Sequence, residues 1–233
     1  MESRYAPISR RRERTVRWLR SVPVLVLACG GLALGRPWLF GAAMMWGIAS
    51  VVLHRLHARS LNTRLKALAA MLARDGDPSV AVRSLESIVA DARALPGFHS
   101  IALLFLGIAR ARTGDVDGAL DLLYVVHRAG WLDRRDVWQA WLLPWLSHLH
   151  GARGDLDLAE QWLDAARARL GGGQPDRTDR LASLVAPATL LALRRGDYDG
   201  AVARLDEAAG AAGETDPQRE QRAVLRAFAL EQA

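Results

Sequence analysis

Three acidic pairs recur along the chain: Asp115 with Asp117, Asp155 with Asp157, and Asp197 with Asp199. Carboxylates in an Asp-x-Asp arrangement suggest calcium or nucleotide-sugar chemistry. An EF-hand loop, however, needs further oxygen ligands and a glutamate at its twelfth position, and none of the three stretches has that arrangement. Each pair follows a glycine, and an aspartate there can instead accept a backbone N–H and cap a helix. His148 and His150 are two residues apart, so on a helix they point to different faces and do not readily share a metal. His54 and His57 are three apart beside a long apolar stretch, which suits an interfacial position better than a metal site. Gly171-Gly172-Gly173 lacks the lysine of a phosphate-cradling loop. No Gly-x-Ser-x-Gly elbow is present. Cys29 is the single cysteine, which excludes an internal disulfide framework and a cysteine-clustered zinc or iron–sulfur site. These residues predict no enzyme activity, no cofactor and no metal.

The more informative side chains are aromatic. Trp131, Trp138, Trp141 and Trp145 cluster in sequence, and Trp162 follows. Trp138, Trp141 and Trp145 recur at three and four residues, so they share a helix face. Such a stripe reads either as core or as a binding surface, where tryptophan is enriched. Pro144, inside the same stretch, should kink or interrupt the helix.

The chain that must position these residues has 233 positions, of which 51% are hydrophobic and 24% charged. That balance belongs to a folded protein, of one domain or one domain with an appendage. The net charge of +6 hides an asymmetry. Residues 1–64 carry eleven arginines against two glutamates, while the remainder carries a slight excess of acid. The basic character therefore belongs to the N-terminal quarter, and a nucleic-acid partner is not expected.

That quarter reads as a membrane anchor. Val22 to Gly35 carries no charge, Arg36-Pro37 interrupts, and Trp38 to Leu53 again carries none. One helix over 22–53 would be about 48 Å long, against a hydrocarbon core about 30 Å thick. A basic arm over 1–14, a transmembrane helical hairpin over 15–58 and a turn at Gly35-Arg36-Pro37 resolve the mismatch. Both flanks of the hairpin are basic, which puts both on the cytoplasmic side of an inner or plasma membrane. The rivals are a single signal anchor over 38–53 that exports the body, a loose lipobox at Val26–Gly30, a twin-arginine signal at Arg10-Arg11, and a soluble pair of core helices. Residues 1–58 thus have membrane lipid as their expected partner, and the basic arm attracts anionic lipid.

Past residue 60 the apolar spacing is helical, as in Leu61, Leu65, Leu68 and Leu72. Gly76, Gly114, Gly154 and Gly196 each precede an aspartate, at intervals of 38, 40 and 42 residues. Five residues after each glycine stands Ala81, Ala119, Ala159 or Ala201, and nine after stands Leu85, Leu123, Leu163 or Leu205. A period of this size signals stacked supersecondary units. The glycine suits a helix end that needs positive φ; the alanine lets two helices approach, and the leucine fills the space between them. Helices are expected near 61–74, 79–94, 99–113, 117–129, 136–152, 157–170, 178–195, 199–210 and 217–231. The last would shield the end of the stack.

Residues 100–131, with Leu103, Leu106-Gly107, Gly114-Asp115, Ala119 and Leu123, carry a resemblance to the tetratricopeptide repeat (TPR) family. Ala69, Ser147 and Thr189 stand where that family has a small glycine. The period exceeds the family's usual length, with the excess between units at Leu95-Pro96-Gly97, Ala129-Gly130-Trp131 and 171–175. The resemblance covers about 63–210. It implies an all-α, TPR-like α-solenoid of four helix pairs over 59–233 with a C-terminal capping helix. It also implies a concave groove lined from the first helix of each pair, by Ile101, Leu104, Ile108, Trp141, His148, Leu190 and Leu193. An apolar groove of this kind predicts an adaptor or scaffold that binds a protein or peptide segment.

Overall fold

Between Gly47 and Gly76 the chain has no glycine, and between Pro37 and Pro78 no proline. With nothing to stop it, one helix forms across the whole stretch. The computed structural model describes residues 37–73, 77–133, 136–170, 177–209, 223–224 and 226–231, together with Val22, Val26 and Cys29. Helix α1 spans Pro37–Ala73. Helix α2 spans Pro78–Asp91 and ends in a 3₁₀ turn over Ala92–Ala94. The remaining helices are α3 (Pro96–Arg112), α4 (Val116–Ala129), α5 (Asp136–Arg153), α6 (Leu156–Leu170), α7 (Arg177–Arg194) and α8 (Tyr198–Ala209). Residues 223–224 and 226–231 are also helical, and no strand occurs among the described residues, so the fold class is all-α.

The expected division at residue 58/59 falls inside α1, which runs through it unbroken. The second limb of the expected hairpin is helical but does not end near Leu56; it continues as the first helix of the repeat region. The basic arm, nearly all of the first limb and the turn before Pro37 lie outside the described residues, as do Gly76 and the triple glycine at 171–173. Among the described residues no helix is long and apolar enough to cross a membrane. Cys29 is exposed and its thiol is free.

The turns follow the repeat. Gly114, Gly154 and Gly196 all have positive φ, which L-residues with a Cβ rarely adopt. After each, the aspartate N–H reaches back to a carbonyl in the last turn: Asp115 to Arg110, Asp155 to His150 and Asp197 to Ala192, at 2.9–3.0 Å. Forward capping follows at three of the four sites. The Asp77 carboxylate accepts from the Ser79 N–H at 2.8 Å, Asp115 from Gly118 at 2.9 Å and Asp197 from Gly200 at 2.9 Å. Asp155 spends its carboxylate differently, as described below.

Consecutive helices pack on one another from α1 to α8, and α1, α3, α5 and α7 also touch in succession. The repeat positions sit at these contacts: Ala81, Ala119, Ala159 and Ala201 are buried, as are Leu85, Leu123, Leu163 and Leu205. At the α3–α4 crossing, a Cβ on Gly107 would come within 2.8 Å of Leu123 Cδ2, so the glycine is what admits the leucine. At the equivalent α5–α6 crossing Ser147 replaces it and donates its hydroxyl to the Ala159 carbonyl at 2.7 Å. The core is thickest from α1 to α5, where leucines dominate. A second cluster joins Leu143, Leu163, Leu184 and Leu191. At the C-terminal end a third, smaller cluster joins the alanines Ala192, Ala201 and Ala229. Ala229 brings the terminal helical stretch onto that end, where Arg226 pairs with Asp206 at 2.7 Å.

Candidate functional site: the aromatic face of α5

Helix α5 continues through Pro144, which is buried. The expected interruption does not occur. Leu142, Leu146 and Leu149 point into the main core and Leu143 into the second cluster. The tryptophans lie along the edge of that side, and Trp138 and Trp145 pack against the same core. Trp138 meets Phe105 of α3 edge to face, with ring centroids 6.0 Å apart. Trp145 meets His148 in the same way at 5.6 Å. Both tryptophans are half-buried, whereas Trp141 between them is 48% exposed. The stripe is therefore neither wholly core nor wholly surface: its ends are packed and its middle is open. The edge-to-face geometry fixes the two outer rings and leaves the central indole available.

The residues expected to line a groove divide sharply. Ile101, Leu104 and Ile108 are buried in the main core and offer no surface to a partner. The cause is the position of α3, which packs against α1, α2, α4 and α5 and so has little free face. Trp141 is exposed, while His148, Leu190 and Leu193 are half-buried. What remains open is thus the α5 and α7 part of the expected lining. Burial pushes the His148 imidazole below its ordinary value, which keeps it neutral, and its Nδ1 is buried without a hydrogen-bond partner. The open face combines indole edges, aliphatic side chains and one neutral imidazole.

Behind this face lies a polar chain that sequence reasoning missed. The Asp155 carboxylate lies 3.1 Å from His150 Nδ1 and accepts from Arg153 Nε at 2.7 Å. Those contacts hold the Asp155 carboxyl below its usual range, His150 first and Arg153 after it. The Asp155 carboxylate can only accept, so Nδ1 donates to it, and the other ring nitrogen, Nε2, shares a 2.7 Å hydrogen bond with the Tyr124 hydroxyl. The chain joins α4, α5 and the turn before α6. It ties the Trp-bearing helix to both its neighbours. A signal was present in the repeat: His150 stands five residues before Asp155, as Arg110 stands before Asp115, and Arg110 also reaches its aspartate, at 3.7 Å. Comparing that one position between units would have found the link.

His127 and Trp162 stack edge to face at 5.0 Å beside Tyr124, and His127 Nδ1 and Trp162 Nε1 are buried without partners. His54 is exposed, and His57 Nε2 lies 3.3 Å from the Asp91 carbonyl. Among the described residues no group of three or more histidines, cysteines or acids could hold a metal ion. No protein-family model, no curated protein and no solved structure matches the chain.

Proposed function

We propose that this chain is a membrane-held helical-repeat scaffold. Its stacked helix pairs form a TPR-like solenoid, and the open face around Trp141, His148, Leu190 and Leu193 takes an apolar segment of a protein partner. The observation that carries the reading is the change of character along α1. Trp38, Met44, Met45, Trp46, Ile48, Val51, Val52, Leu53 and Leu56 are each 48–68% exposed. They span about 220° of the helix circumference, with buried Ala43 in the remaining arc. An apolar surface that wide is more than one neighbouring helix covers and calls for an apolar medium. Leu61, Leu65 and Leu72 of the same helix are buried in the stack. One continuous helix therefore links the segment that needs lipid to the body that carries the tryptophans. As the second limb of a hairpin over 15–58, whose two outer flanks are both basic, the segment puts that body on the cytoplasmic face.

The buried alanines and leucines at the four repeat positions support the solenoid part of the reading, and so does the contact of α1, α3, α5 and α7 in succession. The partner-binding part rests on Trp141, since an exposed indole framed by fixed aromatic rings is a typical energetic anchor.

The test uses the full chain in membranes with a photo-crosslinking residue in place of His148, or of Arg167 on exposed α6. The expected result is a discrete protein adduct from position 148, none from 167, and loss of the adduct when Trp141→Ala is added. Equal labelling from both positions, or an adduct indifferent to Trp141, would defeat the groove. Release of the chain from membranes by alkaline carbonate would defeat the anchor.

A further inference from the structure

Helix α1 contains no aspartate or glutamate in its 37 residues. Its basic residues are Arg55, Arg59, Arg64 and Lys66. Arg64 is neutralised by Asp91 of α2 at 2.7 Å and also reaches the Ser87 hydroxyl. The other three are exposed, and among the described residues no ion pair or side-chain hydrogen bond engages them. At about 100° per residue, Arg55, Arg59 and Lys66 fall within an arc of about 40°. They form one stripe, turned away from the buried side that holds Leu61, Leu65 and Leu72. The stripe begins two residues after Leu53, where the exposed apolar segment ends.

We propose that Arg55, Arg59 and Lys66 form a headgroup-binding stripe that selects anionic phospholipid. The inference rests on the membrane reading of the apolar half of α1. The occupant follows from two features. The exposed apolar residues of the segment spread over about 220° of its circumference, wider than a protein groove covers, so a bilayer is the medium that suits them. The charges that emerge from it are all positive, and Arg55, Arg59 and Lys66 pair with no described residue, so the complementary ligand is the phosphate of an acidic lipid. Residues 38–53 span only about 24 Å as a helix, less than the hydrocarbon thickness of about 30 Å. The guanidinium groups of Arg55 and Arg59 are therefore drawn down to headgroup depth, where their fork of donors matches phosphate oxygens. Lys66, about 16 Å further along the helix than Arg55, extends the stripe away from the apolar segment.

The experiment measures partition of the full chain, diluted from detergent, into vesicles of phosphatidylcholine alone and of phosphatidylcholine with phosphatidylglycerol. The quantity of interest is the ratio of the two partition coefficients. The arginine-rich residues 1–20 contribute equally in every variant, so changes in the ratio report on the stripe. Each neutralised residue near the surface is expected to lower the ratio about fivefold, and R55Q/R59Q/K66Q together by at least about tenfold. R55K/R59K, which keeps the charge, should retain most of the ratio. An unchanged ratio in the triple variant, with partition into phosphatidylcholine intact, overturns the stripe and leaves the membrane reading standing. Failure to partition into either vesicle overturns the membrane reading itself. Displacement by inorganic phosphate but not by chloride at equal ionic strength shows a soluble phosphate site and overturns lipid as the ligand.

Discussion

The two halves of α1 are built from similar side chains and meet opposite surroundings. From Met44 to Leu56 eight of the thirteen residues are large and apolar, and all eight are exposed. From Leu61 to Leu72 they stand at intervals of four, three and four, and are buried or half-buried. Both halves are helical because neither contains a residue that prevents it. What differs is the angular spread of the apolar groups. A stripe can be buried by one neighbouring helix, as α2 and α3 bury Leu61 and Leu65. An arc of about 220° cannot be buried by one neighbour, and calls for an apolar solvent. The helix alone says nothing of its medium; the arrangement around it does.

Matched truncations sharpen this contrast most strongly. Leu61→Ala removes a fully buried side chain and should lower the stability of the stack by about 2–5 kcal/mol. Leu53→Ala removes a side chain that is 66% exposed and should change it by less than about 0.5 kcal/mol. Urea unfolding of the full chain in micelles, followed by tryptophan fluorescence, measures both. Equal costs would mean that the N-terminal half of α1 is packed on protein after all.

Acid should act on the stack and spare the apolar half. His99 of α3 is 3% exposed, and burial, reinforced by the nearby Arg93 charge, pushes its imidazole down to about 4. Burial moves His148 in the same direction. In the unfolded chain a histidine protonates near 6.5. As the pH falls from about 6.5 to 4, the unfolded state takes up protons that the folded state refuses, and stability is lost. The loss from His99 is on the order of 2 kcal/mol once solvent screening is allowed for. Unfolding of the wild type at pH 7.5 and pH 4.5 should show it, and His99→Gln should show a smaller difference. An identical difference would clear His99 of the effect. The carboxylates held low by their partners, among them Asp77, Asp155 and Glu160, lose their contribution only at lower pH.

Much of the repeat region was legible in the sequence because its turns obey a rule. A glycine at positive φ, an aspartate after it, and an alanine and a leucine at constant offsets each answer a local steric or hydrogen-bonding need. The glycine conformation recurs at the three repeat turns that are described, and the buried alanine and leucine recur in all four units. The helix boundaries follow within a few residues, and the largest discrepancy is α1, where the expected break had no glycine or proline to make it. The groove was less legible. Ile101, Leu104 and Ile108 share a face by spacing, as Trp141 and His148 do. Spacing gives direction around a helix and not the number of neighbours, and α3 has neighbours on nearly every side. The Tyr124–His150–Asp155 chain was hidden because its members come from different helices, and because Asp155 resembles its capping counterparts.

The smallest expected effect concerns the crossings that hold the stack together. Gly107 and Ser147 occupy the same repeat position and solve the same problem differently. At Gly107 the neighbour is Leu123, and a methyl group would need that side chain to shift. At Ser147 the side chain is accommodated, and its hydroxyl satisfies the buried Ala159 carbonyl. Ser147→Ala keeps the volume and removes only the donor. The carbonyl retains its place in the α6 helix, so the loss is that of one buried hydrogen bond, about 1 kcal/mol. Gly107→Ala adds volume instead, and costs about 1–3 kcal/mol unless Leu123 can change rotamer. If Ser147→Ala is neutral while Gly107→Ala is costly, the crossings are governed by shape alone. If both are costly, the α5–α6 contact depends on its one polar bond, and the Trp-bearing helix is held from behind by Ser147 as well as by the His150 chain.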